Sequence, residues 1–213
     1  MRVRFYAVRG SVPAPGPLTA RYGGNTSCVE VLIADGTTIA LDAGTGLRDL
    51  GNALVREGRD ARVHLLLSHT HWDHVMGLPF FAPLWSRANH LLVYPLANDA
   101  QERFQRNIFD DIHFPVSVHD IPAKVELVKP ESSEWRIGSA RVRAVPLNHP
   151  GGAQGFRLEA MPGTQVQRYM VSFTEPYFLD TPVSMNLSAF YFDVSKDRLY
   201  TFRADSRDRR SAQ

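Results

Sequence analysis

Four side chains able to bind a metal fall within six residues, His69-Thr70-His71-Trp72-Asp73-His74. Imidazole nitrogen and carboxylate oxygen are donors that Zn²⁺ accepts, and neutral imidazole is available at physiological pH. Donors at i and i+2 converge on one ion where an extended strand end turns. Those at i+4 and i+5 sit on the next turn and can face a second ion. Two ions about 3.5–4 Å apart would hold a hydroxide between them and clamp a phosphoryl or acyl oxygen. The competing reading is a surface loop that happens to be rich in histidine. That would suffice for a lone histidine, but four ligand-type residues directly after an apolar strand favour metal.

The elements needed to position such a cluster are visible around it. Val63 to Leu67, apolar apart from His64, reads as a buried strand that runs into Ser68-His69. Upstream, Val3 to Val8 alternates like a strand, and Val29 to Ala34 and Thr38 to Asp42 read as a hairpin about Asp35-Gly36. Leu47 to Glu57 carries Leu47, Leu50, Leu54 and Val55 at helical spacing. Downstream, Leu91 to Tyr94, Val125 to Val128, Ala140 to Val145, Phe156 to Glu159, Tyr169 to Phe173, Leu187 to Val194 and Leu199 to Phe202 are strand-like, and Asp99 to Asp110 is helical. Strands with helices interspersed predict a layered α/β fold rather than an all-β sandwich.

Composition narrows the classes further. A chain of 213 residues fits one domain, and 44% apolar with 22% charged residues is ordinary globular usage. A formal charge of +2 is too small to argue for a nucleic-acid partner, so any attraction to a phosphate must be local. The lone Cys28 excludes an intramolecular disulfide, and Arg2, Arg4 and Arg9 interrupt any secretory apolar region near the amino terminus. No apolar run is long enough to span a bilayer, so the expectation is a soluble, cytoplasmic protein with no membrane partner.

The HxHxDH pattern of residues 69–74 resembles the signature of the metallo-β-lactamase superfamily, in particular its phosphodiesterase-type branch of ribonuclease Z and cyclic-phosphate phosphodiesterase relatives. Arg9-Gly10-Ser11, Tyr22 to Cys28, Leu41 to Gly46, His74 to Phe81, Phe114-Pro115-Val116 and Asn148-His149-Pro150-Gly151-Gly152 are similar to that branch as well. The resemblance covers roughly residues 2–176. It implies an α/β fold of four αββα layers, in a domain taken as residues 1–203; residues 204–213, polar, Arg-rich and without periodicity, read as a frayed tail. By that similarity His69, His71 and His149 bind the first metal, and Asp73 and His74 belong to the second. His149 follows a strand and precedes a Gly-rich loop that lets the backbone approach a site closely. Asp42, at a strand end, either orients a ligating histidine from behind or closes an Asx-type turn. His64 reads as a satisfied core group, and His90, His113 and His119 as solvated. Cys28 reads as a small packed hydrophobe, and Trp72 with Phe80-Phe81 as core before substrate contact.

Two features depart from the family's pattern. Phe173, in Ser172-Phe173-Thr174-Glu175-Pro176, stands where the family places a bridging Asp, and no histidine follows His149. From Tyr177 onward the sequence is unlike the family's last section. The expectation is therefore one tight zinc (manganese being the alternative ion) and a weak second site, unless Glu175, Asp180 or a neighbouring copy in a homodimer supplies the missing donor. The function expected is metal-dependent hydrolysis of a phosphodiester: a cyclic nucleotide, a cyclic phosphate or an RNA end. Asp73 would be the catalytic carboxylate. A non-catalytic binding member of the fold and a thioester or lactone hydrolase are the alternatives.

Overall fold

The computed structural model describes residues 1–59, 62–95, 109 and 114–160, and the backbone of the strands at 167–174, 186–193 and 201–203. The expected helix Asp99 to Asp110 (Phe109 apart) and the tail from Ala204 lie outside the described residues, as do His113, Glu175 and Asp180. The chain divides into two units, Met1–Pro130 and Glu131–Gln213.

The first unit holds a six-stranded sheet, β1 (Arg2–Ala7), β2 (Cys28–Leu32), β3 (Thr38–Leu41), β4 (Arg62–Leu66), β5 (His90–Tyr94) and β6 (Lys124–Leu127), in that spatial order. The first three are antiparallel neighbours, and β3 to β6 run parallel. Asp35-Gly36 turns β2 into β3, with Gly36 at φ 88 and the Asp35 carboxylate accepting from the Thr37 N–H at 2.9 Å. Parallel strands are covered on both faces, which is why β3 and most of β4 are apolar without alternation.

The crossover from β3 to β4 is helix α1 (Gly46–Arg56), which buries Leu47, Leu50 and Leu54 against Leu65, Leu67, Phe81 and Leu84. Each such fully buried leucine contributes about 1.5–3 kcal/mol. Val55, expected on that stripe, is 63% exposed, because one residue past Leu54 turns about 100° away from the core. Gly58 ends the helix at φ 60, with Gly58 N–H donating to Val55 and Arg59 N–H to Leu54.

The second unit holds a sheet of antiparallel neighbours in chain order: β7 (Glu134–Ile137), β8 (Ala140–Leu147), β9 (Ala153–Ala160), β10 (Gln167–Thr174), β11 (Asn186–Asp193) and β12 (Thr201–Arg203). Strand β7 was not expected. Only Trp135 and Ile137 point to its apolar side, too short an alternation to stand out before the Gly138 turn. On that side Trp135 meets Phe156 edge-on, at 6.5 Å between ring centroids.

Candidate metal centre

Asp42 directly follows β3, and Ser68-His69 follow β4 by two residues, so the carboxyl ends of two adjacent parallel strands deliver them to one place. That is where open α/β sheets commonly place ligands. The Asp42 N–H still pairs with the Leu66 carbonyl at 3.0 Å, and Leu67 with Tyr94 at 3.3 Å, so the sheet fixes both strand exits. Beyond them, His71 is extended (φ −64, ψ 152) and starts the single turn α2 (Trp72–Val75). This turn carries Asp73 and His74 inward, both buried, while His71 stays exposed.

Asp42 occupies the left-handed region at φ 59, uncommon for a side-chain-bearing residue but accessible to Asp through local hydrogen bonding. Its buried carboxylate accepts from the Ser68 N–H at 2.7 Å, from the Ser68 hydroxyl at 2.9 Å and from His74 Nδ1 at 2.9 Å. The Ser68 hydroxyl has one hydrogen, which goes to Asp42. Its 2.9 Å contact with His69 Nδ1 is therefore one in which the imidazole donates. Both His69 and His74 are thus held in the tautomer that carries its lone pair on Nε2, the arrangement that prepares histidines as metal ligands.

The rings are close together. His69 lies edge-on to His71 at 4.6 Å between centroids and tilted against His74 at 4.1 Å. His74 Nε2 faces Asp73 Oδ2 at 3.3 Å. With Nδ1–H committed to Asp42, that approach sets a lone pair against a carboxylate oxygen, and it is favourable only with a proton or a cation between them. The donor set, three imidazoles and one carboxylate, suits zinc. Burial works to raise the Asp73 pKa, but a proton on His74 Nε2, through its hydrogen bond and charge, together with the Ser11 N–H outweighs it and holds the carboxyl at about 2. The Ser11 bond to Asp73 Oδ2 is 2.7 Å, made from a backbone at φ 72.

The loop after β3 supports this turn by backbone contact. Ala43 N–H donates to His74 at 2.8 Å and Gly77 N–H to Ala43 at 2.9 Å. A Cβ on Gly44 would collide with the Asp73 carbonyl oxygen, and one on Gly77 with the Gly44 carbonyl oxygen. Thr26 and Thr45 exchange backbone N–H to hydroxyl bonds, both 2.8 Å, and so join the Tyr22–Cys28 and Leu41–Gly46 segments.

His149 lies in the turn after β8, half-buried, with its carbonyl accepting from the Gly152 N–H at 2.9 Å. It belongs to the second unit. His64 is bonded through Nδ1 to the Tyr94 hydroxyl at 2.9 Å. His119 is exposed, whereas His90 begins β5 and pairs with Glu126 at 3.1 Å rather than standing in solvent. Cys28 is a buried free thiol whose pKa burial pushes well up. Phe81 is core, but Trp72 and Phe80 are exposed, 55% and 57%, contrary to the core assignment. Alternation with buried neighbours on short turns places them outward. Ser11 and Ser68 are the residues that sequence reasoning left out of the cluster. Ser68 could have been found from its place one residue before His69.

Residues 37–174 match the family model of the beta-lactamase superfamily domain, well over half the chain, and the chain belongs to that superfamily. Its fold is the α/β metallo-β-lactamase type. A solved structure of the metallo-beta-lactamase fold protein YhfI from Bacillus subtilis aligns with TM-score 0.50 and 21% identity, over 73% of this chain and 56% of that one. Zn(2+)-bound PqqB from Methylobacterium extorquens aligns with TM-score 0.49 and 18% identity, over 75% and 59%. Residues 148–212 also match the model of the Omp85 superfamily domain. Isoleucine–tRNA ligase of Neisseria meningitidis serogroup C (strain 053442) is 47% identical over 55 residues, 26% of this chain and 6% of the ligase. The chain therefore spans a small part of that curated relative and little over half of the structural ones.

Proposed function

We propose that the chain is a metal-dependent hydrolase and that its substrate is a phosphodiester. The observation that supports this most is the Asp42–Ser68 pair, which fixes His69 and His74 with Nε2 as the donor atom beside Asp73. Zinc is the ion the donor set suits, held by His69 and His71 with His149 as the third imidazole by family resemblance. When bound, such an ion lowers the pKa of water to about 7 and polarises a phosphoryl oxygen. Asp73, ionised at neutral pH, orients the attacking water by accepting its hydrogen bond. Asp42 and Ser68 keep the imidazoles from rotating as charge develops. Phe173 in β10 brings no carboxylate to a second ion, so one metal per chain is the working state.

The test is turnover of bis-p-nitrophenyl phosphate by the full chain with added Zn²⁺ or Mn²⁺, run beside thioester and lactone substrates. Metal-dependent phosphodiester hydrolysis that is lost in Asp73→Asn is the expected result. Metal binding without turnover of any of the three substrates would instead identify a non-catalytic member of the fold.

A further inference from the structure

The second unit's sheet has a face that the metal chemistry does not use. Alternation along β7, β8 and β9 sends Trp135, Ile137, Val142, Phe156 and Leu158 to one side. Six charged residues go to the other side. The register aligns these as two rows across three strands: Glu134–Arg143–Arg157 and Arg136–Arg141–Glu159. Each row sets two arginines directly opposite one another, with Cβ atoms about 4.5–5.5 Å apart, where like charges destabilise a sheet. Glu134 pairs with Arg141 at 3.3 Å and Glu159 with Arg157 at 2.8 Å. Among the described residues no carboxylate lies within ion-pair distance of Arg143 or Arg136. The face therefore carries four guanidinium groups against two carboxylates. Glu134, Arg141, Arg143, Arg157 and Glu159 line a shallow cleft of about 100 Å³ on it.

We propose that this cleft binds the phosphate group of a small phosphorylated ligand, bridged between Arg143 and Arg157. A phosphate offers two oxygens to two guanidinium forks and cancels the repulsion that the register builds in. Glu134 pairs with Arg141 and Glu159 with Arg157, and neither carboxylate occupies Arg143. A cleft of this volume admits one phosphate rather than a run of backbone. A solvated sheet face needs no such opposed pair, and the usual cross-strand partner of an arginine is an acid.

The experiment is a titration of the full chain with inorganic phosphate at fixed ionic strength, followed by backbone-amide NMR, with sodium chloride as control. The parent should show saturable shifts at β8 and β9, and Arg143→Gln should weaken phosphate binding about tenfold. Arg56→Gln, on α1, should leave binding unchanged. His71→Ala should also leave it unchanged, which separates this site from any phosphate held at the histidine cluster. Equal affinity in Arg143→Gln and parent, or shifts no larger than those from chloride, would overturn the proposal. So would binding of a short single-stranded oligonucleotide that tightens with length, because that would identify a backbone track instead of a small-ligand site.

Discussion

One carboxylate organises the candidate centre. Asp42 accepts three hydrogen bonds, two from Ser68 and one from His74, and through them sets which ring nitrogen each histidine presents. Replacing it by alanine removes that orientation and leaves a buried Ser68 N–H without its acceptor. Asp42→Ala should weaken zinc about 10–100-fold, read by competition with a chromophoric chelator. It should also cost about 1–3 kcal/mol of stability in urea unfolding. Undiminished zinc affinity in that variant would show that Asp42 only closes a turn. At this scale the sequence was informative where residue type carries the chemistry. Four ligand-type residues in one loop are visible on inspection, as is an acidic residue at a strand end. Ser11 was not visible in that way. It acts through a backbone N–H, which every residue but proline has, and it reaches Asp73 across 62 positions of sequence.

Among the elements, the strand exits and the glycine loop do the positioning. Gly44 lies where a Cβ would strike the Asp73 carbonyl oxygen, so the turn carrying Asp73 and His74 must shift to admit a side chain. Gly44→Ala should destabilise the fold by about 1–3 kcal/mol. It should also lower metal affinity, measured by thermal unfolding with and without zinc; stabilisation by zinc equal to that of the parent would contradict a positioning role. His64 in β4 makes a pH prediction. Burial, then the nearby charges of Arg62 and His90, lower its pKa from 6.5 to about 4. The unfolded chain therefore takes up this proton first as pH falls. The neutral imidazole's contribution is complete above about pH 6.5, declines between 6.5 and 4, and is flat below. The stability difference between parent and His64→Gln should follow that course in unfolding experiments at successive pH values; a difference independent of pH would remove His64 as the cause. Strands β3 to β5 were legible because buried parallel strands leave apolar runs, β2 with β3 because Asp-Gly marks a hairpin, and β1 by its alternation. Strand β7 was not, since it contributes two inward side chains and its register is set by β8 rather than by its own pattern.

At the scale of the molecule, the family match ends at Thr174, at the end of β10, close to where the sequence itself stops resembling the family. Phe173 lies on that last matched strand, paired with Phe156 and Leu187, and its side chain has no donor atom. A bridging carboxylate offsets the repulsion between two cations, so its loss weakens the second ion by more than one ligand's share. On the proposed function a single metal, held largely by the first unit's histidines, suffices. Elemental analysis of the purified, dialysed chain tests this most directly. About one zinc per chain is predicted, with most of it lost in His71→Ala and retained in His119→Ala, because three imidazoles and a water complete a tetrahedral site. Equal zinc in the two variants, or none in the parent after loading with zinc, would contradict it.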